Sequence, residues 1–274
     1  GLWKGERILA ESWIKEATTA TMPASTKPQD VTNDWLQGYG YQFWRCQNNA
    51  YRGDGAFGQF CVVVPEKDLV VATTSESANM QGILNLIWKY LIPANQSATI
   101  LNASAASKKL TQKLNTLALN PLVSSVTSTW VQKLNQNRFS IAPNELKVSE
   151  VKFDFQKDVC NLSIKDDVGT HELSCGLKKW HLGKTDLSTL PLKLVATQGS
   201  HEKISKVAVS GKWIDENHFQ MICRFIETAH YDLIDWKFSE SQMTMAYTRS
   251  LSVLDKTKDK RPVLVGKWHE MKRN

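Results

Sequence analysis

The sequence predicts an α+β chain: a helix, three antiparallel strands and a second helix, followed by an all-β antiparallel barrel or sandwich. Three observations carry this expectation. Up to about residue 93, apolar residues at helical spacing flank a set of strand-like runs, whereas from about residue 148 they recur at every second position. Between these stretches lies a segment rich in Ala, Ser, Asn and Gln. A chain of 274 residues is also too long for one ordinary domain and long enough for two. The expected division is residues 1–93, a linker with a possible helix over 94–144, and an all-β domain over 145–274.

In chain order, Glu11 to Thr19 reads as a helix, with Ile8, Trp13, Ile14 and Ala17 spaced for one buried side. A loop runs from Met22 to Asn33. Three strands follow at Gly38–Arg45, Gln59–Val64 and Leu69–Thr74, with Pro65-Glu66-Lys67-Asp68 as the turn between the last two. Ser77 is placed to cap a helix through Ile83, Leu84, Ile87, Trp88 and Leu91, which Pro93 ends. After a possible helix within Pro121–Asn137, period-two runs follow. These are Val151, Phe153, Phe155; Cys160, Leu162, Ile164; Leu173, Cys175, Leu177; Val207, Val209, Trp213; Phe219, Met221, Cys223, Phe225; Ile234, Trp236, Phe238; and Met243, Met245, Tyr247. Turns at 165–169, 215–217 and 239–241 make the connections hairpins. A sheet with so many apolar side chains on one face must cover it, hence a barrel or sandwich.

Composition excludes several classes. Hydrophobic residues at 42% and charged residues at 22% rule out a disordered, collagen-like or coiled-coil chain. No apolar run approaches a membrane span. The net charge of +7 arises after residue 97, where 26 Lys and Arg face 18 Asp and Glu. The cations are interleaved with acids, which reads as a solvated surface and not a nucleic-acid footprint. Five cysteines without close pairs read as free thiols and favour a reducing compartment such as the cytoplasm.

The chemical motifs are sparse. Gly53-Asp54-Gly55-Ala56-Phe57-Gly58 has the spacing of a dinucleotide fingerprint, but a strand follows it instead of the helix that pyrophosphate binding needs. Ser12 to Lys15 and Ser200 to Lys203 fit Ser-x-x-Lys at the frequency chance provides. His171 and Cys175 share a strand face without a zinc-like ligand set, so neither a metal nor a cofactor is expected.

Gly38-Tyr39-Gly40-Tyr41, Gly55-Ala56-Phe57-Gly58 and Val62 to Val71 with its Pro-Glu-Lys-Asp turn, followed by a helix, together resemble the last segment of a serine β-lactamase-like domain. Class C β-lactamases and penicillin-binding-protein-related hydrolases are of this kind. The resemblance covers about residues 1–93 and implies a C-terminal fragment of a hydrolase that cleaves a small amide or ester through an acyl-enzyme. It also implies that the nucleophile motif and Tyr-x-Asn belong upstream, so no catalytic residue is expected within the chain. The third family motif aligns with Ala50, Tyr51 and Arg52, which makes Tyr51, Arg52 and Asp54 the substrate-contact candidates. The other reading of Arg52 and Asp54 is a structural ion pair at a turn. An uncovered sheet face calls for a homo-oligomeric partner or the β-rich domain as cover. A competing reading takes the later half as a non-enzymatic barrel that encloses a small hydrophobic ligand or docks a partner, with Trp180, Trp213, Trp236 and Trp268 among its strands.

Overall fold

The computed structural model describes residues 1–22, 30–95, 105–187 and 204–270. They form two compact units, residues 1–115 and 116–274.

The first unit opens with a hairpin of β1 (Leu2–Trp3) and β2 (Glu6–Arg7), then α1 (Glu11–Thr18). A four-stranded antiparallel sheet follows in the order β3 (Trp44–Arg45), β4 (Tyr51–Gly55), β5 (Gln59–Val64), β6 (Leu69–Thr73). The turn from β4 to β5 passes through Phe57 and Gly58 at φ of 66° and 93°. A Cβ on Gly58 would lie 2.5 Å from both Ile83 Cδ1 and Ser75 Oγ, so glycine is required there. One sheet face, with Phe60, Val62 and Val64, packs against Leu84 and Ile87. These belong to α2 (Met80–Leu86), which runs on through a π turn at Ile87–Leu91 into α3 (Ile92–Ala94). α4 (Ala105–Asn115) ends the unit.

The second unit is a barrel. α5 (Trp130–Gln136) leads into β7 (Asn137–Ile141), β8 (Glu150–Phe155), β9 (Val159–Lys165), β10 (Thr170–Gly176), β11 (His181–Thr185), β12 (Ser205–Asp215), β13 (His218–Phe225), β14 (Tyr231–Phe238) and β15 (Gln242–Arg249). α6 (Ser250–Asp255) then precedes β16 (Leu264–Glu270). The sheet order is β10-β9-β8-β7-β16-β15-β14-β13-β12-β11, and Gly176 on β10 meets Ser210 on β12 to close it. That seam needs glycine: a Cβ on Gly176 would fall 1.9 Å from the Lys179 carbonyl, and one on Gly211 would fall 2.7 Å from both Cys175 Sγ and Phe219 Cζ. Closure at this pair places every second side chain in a shared interior, while β11 is paired through β12 alone among the described residues.

The expected α+β class is therefore corrected: the described residues are predominantly β and are dominated by the closed barrel. The sheet of the first unit has four strands in place of the three expected, because Tyr51–Gly55 pairs with Gln59–Val64. The cap of α2 is Asn79, whose Oδ1 accepts from Gly82 N at 2.9 Å, and Ser77 Oγ accepts from Asn79 N one step earlier. Of the four apolar residues expected to bury one side of α1, only Ala17 is buried, while Ile8 and Trp13 are exposed. β7, β11 and β16 escaped the periodicity. In β11 the apolar Leu182 points outward and is 70% exposed, and β16 interrupts its alternation with Gly266, which inverts or dilutes the usual signal.

Candidate functional site

The candidates of the first unit lie together on β4. Arg52 is fully buried. Its Nε donates to Asp54 Oδ2 at 2.8 Å, and its Nη1 lies 3.1 Å from both the Asp34 carbonyl and Cys46 Sγ. The guanidinium rests on the Trp35 ring at 4.4 Å, with Trp44 and Phe60 beyond, a cation held by ring faces in a dry site. Buried Asp34 accepts from Gln47 N, Gln81 Nε2 and Trp88 Nε1 beneath it. Burial pushes the Cys46 thiol up to about 11, against the lowering effect of Arg52. Tyr51 points to the opposite face of the strand, half-buried against Phe43. Arg52 and Asp54 are thus joined inside the unit, and Tyr51 stands apart from them. Ser12 and Lys15 are exposed on α1, and Ser200 to Lys203 lie outside the described residues.

The barrel interior is divided chemically. Toward one end it is aromatic. Phe153 and Phe155 on β8 touch rings of β12 to β14 across the lumen: Phe153 to Trp236 at 4.9 Å, Phe155 to Phe219 at 5.2 Å and Phe155 to Trp213 at 5.7 Å. These strands are not neighbours in the sheet, so the rings bridge the interior and plug it. α5 closes this end: Trp130 stacks on Trp268 at 5.5 Å and bonds Asn217 Oδ1 through its Nε1, and Glu216 accepts from Thr129 N. A concavity of about 460 Å³ lies outside the plug, floored by Phe238 and bordered by Asp215, Glu216, Asn217, His218 and Lys237. Since Glu216 and Asn217 hold α5 and His218 pairs with Asp235 at 2.7 Å, this concavity is a joint of the fold.

Midway along β14, fully buried Trp236 faces Met245 on one neighbouring strand and Phe219 on the other. Its Nε1–H has no hydrogen-bond partner among the described residues. Met221, Met243 and Met245, all fully buried, line the same interior, and their flexible, polarisable side chains repack at low cost. Cys160 and Cys175 face each other across β9 and β10, and burial lifts the Cys223 thiol to about 12, which makes it a poor nucleophile.

Toward the other end the inward positions turn polar. Asp232 on β14 takes both Arg261 Nη atoms, at 2.7 and 3.0 Å, and Asp259 takes Arg261 Nε and Nη2, while the guanidinium lies 4.3 Å from the Tyr247 ring centre. Burial works to raise the Asp259 carboxyl, but the hydrogen bonds and charge of Arg261 outweigh it and hold Asp259 at about 2. On β10, His171 is 4% exposed, with Asp166 Oδ1 3.0 Å from Nε2 and Asp186 Oδ1 2.9 Å from Nδ1. Ionised carboxylates only accept, so this geometry favours a proton on both ring nitrogens. Burial alone would lower the His171 pKa, yet its bonds to Asp186 and Asp166 prevail and raise it.

The sign of the resulting pH dependence follows. A histidine raised in the folded state contributes its full stability below the unfolded value, about 6.5, and loses it as pH rises through the folded value. Asp166 is lowered, so its contribution is present above the ordinary aspartate range and is lost as pH falls. Thermal melts of the chain should show a midpoint that declines as pH rises above about 6.5, and His171→Phe should flatten that slope. Equal slopes in both proteins would remove His171 as the cause.

No family model matches the chain, and no curated protein matches it. Similar solved structures include a protein titled REP1-NXSQ fatty acid transporter, at 8% identity and a TM-score of 0.32, covering 51% of this chain and 97% of that one. Lipid binding protein 8 of Caenorhabditis elegans is similar at 8% identity and a TM-score of 0.33, covering 55% and 99%. A Schistosoma mansoni fatty acid binding protein in complex with arachidonic acid is similar at 9% identity and a TM-score of 0.32, covering 52% and 98%. A TM-score near 0.3 carries no inference about function.

The resemblance to serine β-lactamase-like hydrolases is overturned. No family model of such hydrolases matches the chain, and its described residues are predominantly β where the resemblance implied an α+β arrangement. Its motifs were short hairpin and turn strings, whose glycines and Pro-Glu-Lys-Asp turn serve strand reversal in any antiparallel sheet. The reading as a fragment of a serine hydrolase falls with it. Of the four tryptophans singled out, Trp213 and Trp236 are buried inside the barrel, Trp268 stacks at its closed end, and Trp180 bonds the Leu119 carbonyl. Sequence reasoning missed Asp232, Arg261 and the Asp166–His171–Asp186 group. The only signal for Asp232 was an acid on the inward register of β14, two residues before Ile234.

Proposed function

We propose that the barrel unit is a non-enzymatic binding module for a small, mostly apolar molecule carrying one hydrogen-bond acceptor. The observation behind this reading is the indole N–H of Trp236, fully buried and without an acceptor among the described residues. An orphaned buried donor costs about 1–3 kcal/mol, which an acceptor brought in by a ligand recovers. The methionines at 221, 243 and 245 supply a wall that adjusts to an apolar body. His171 and His218 bond carboxylates and not a hydroxyl or thiol nucleophile.

Titration of the chain with cis-parinaric acid, an apolar chain ending in a carboxylate, tests the reading. Saturable one-to-one probe fluorescence is expected, with affinity reduced about 5- to 30-fold in Trp236→Phe, the equivalent of about 1–2 kcal/mol. Absence of saturation, or equal affinity in the variant, overturns it.

A further inference from the structure

Every residue of α4 is exposed, including Leu110 at 58% and Leu114 at 55%. At four-residue spacing Ala106, Leu110 and Leu114 share one face; Lys113 and Lys109 flank it on one side, and Lys108 lies on the opposite face. The surrounding sequence is charged in one sense only. Between Glu76 and Glu145 there is no Asp or Glu, and within the first unit Lys89, Lys108, Lys109 and Lys113 lie there; Lys133 and Arg138, in the second unit, pair with Glu240 and Glu150. An exposed helix of this length is marginal in water by itself, so a surface that accepts its leucines and answers its charge stabilises it.

We propose that α4 docks in the plane of an anionic lipid surface, with Leu110 and Leu114 at the acyl boundary and the lysines among the headgroup phosphates. Charge complementarity selects this occupant. The acid-free run offers nothing to a basic or mixed-charge protein face, and lysine stems reach outward to headgroups while the leucines sink. The apolar face is also narrow, two leucines over three turns, whereas a helix seated in a protein groove presents anchors at i, i+3, i+4 and i+7. No helix among the described residues is long and apolar enough to cross a membrane, so the contact is peripheral. This inference does not depend on the ligand reading of the barrel.

Co-sedimentation of the chain with phosphatidylcholine vesicles, with and without roughly one-third phosphatidylserine, tests it. Binding is expected only to the anionic vesicles and should weaken as salt is raised. It should fall at least about tenfold in Lys108→Glu/Lys109→Glu and in Leu110→Asp/Leu114→Asp, and persist in Lys256→Glu/Lys258→Glu. Because the substituted side chains of α4 are exposed, circular dichroism of the variants should match the parent. The proposal is overturned by failure to bind anionic vesicles, by binding that the α4 variants leave unchanged, or by equal binding to neutral vesicles. Self-association without lipid binding, lost in Leu110→Asp/Leu114→Asp, would equally overturn it and assign the face to a second copy.

Discussion

Replacing Asp232 with alanine should lower the unfolding free energy of the barrel by about 3–5 kcal/mol, among the largest single-residue effects in the chain. Arg261 and Asp232 are both nearly inaccessible, with side-chain exposures of 7% and 3%, and they meet through two parallel hydrogen bonds. Forming such a pair brings little net gain, because each charge gives up its hydration; removing one member leaves the other buried without compensation. Asp259 keeps its own two bonds to Arg261, so the guanidinium stays in place but loses half of its acceptors. Arg261 joins the segment after α6 to an inward position of β14, and the loss falls on the end of the barrel opposite the aromatic plug. Urea unfolding followed by circular dichroism measures the change. A loss under about 1 kcal/mol would show the pair to be solvated and peripheral.

Phe153→Ala should cost a similar amount, about 3–5 kcal/mol, by a different mechanism. Phe153 is fully buried and touches Phe139 at 6.3 Å, Phe155 at 5.9 Å, Trp236 at 4.9 Å and Phe238 at 5.7 Å. Its partners sit on both sides of the lumen, so truncation opens a cavity that strands tied into a closed sheet cannot collapse to fill. Near-ultraviolet circular dichroism should lose intensity as Trp236 loses its edge-to-face neighbour, and the urea midpoint should fall with little change in slope. Leu182→Ala, outward and 70% exposed, is the contrast, with a change within about 0.5 kcal/mol. Equal effects at the two positions would mean the aromatic side chains do not bridge the interior.

Much of the barrel was readable because period two is a local property. Val151, Phe153 and Phe155 alternate with Lys152 and Asp154, and that pattern alone sends the first three inward. The hairpin turns at 165–169, 215–217 and 239–241 connect β9 to β10, β12 to β13 and β14 to β15. Reading failed where the same residues served another need. Two glycines dilute the strand signal of Tyr51–Gly55, and the side of α1 expected to be buried is left uncovered except at Ala17.

What the sequence determined unaided is the alternation of the strands, the places where the chain turns, and the apolar character of one sheet face, since each depends on residues a few positions apart. Only the tertiary structure decided that β10 closes onto β12, that Phe153 meets Trp236 across the lumen, that Asp232 finds Arg261, and that both nitrogens of His171 face carboxylates. These partners are far apart in sequence or lie on different strands, and no local spacing records which distant side chain closure of the sheet will bring into contact.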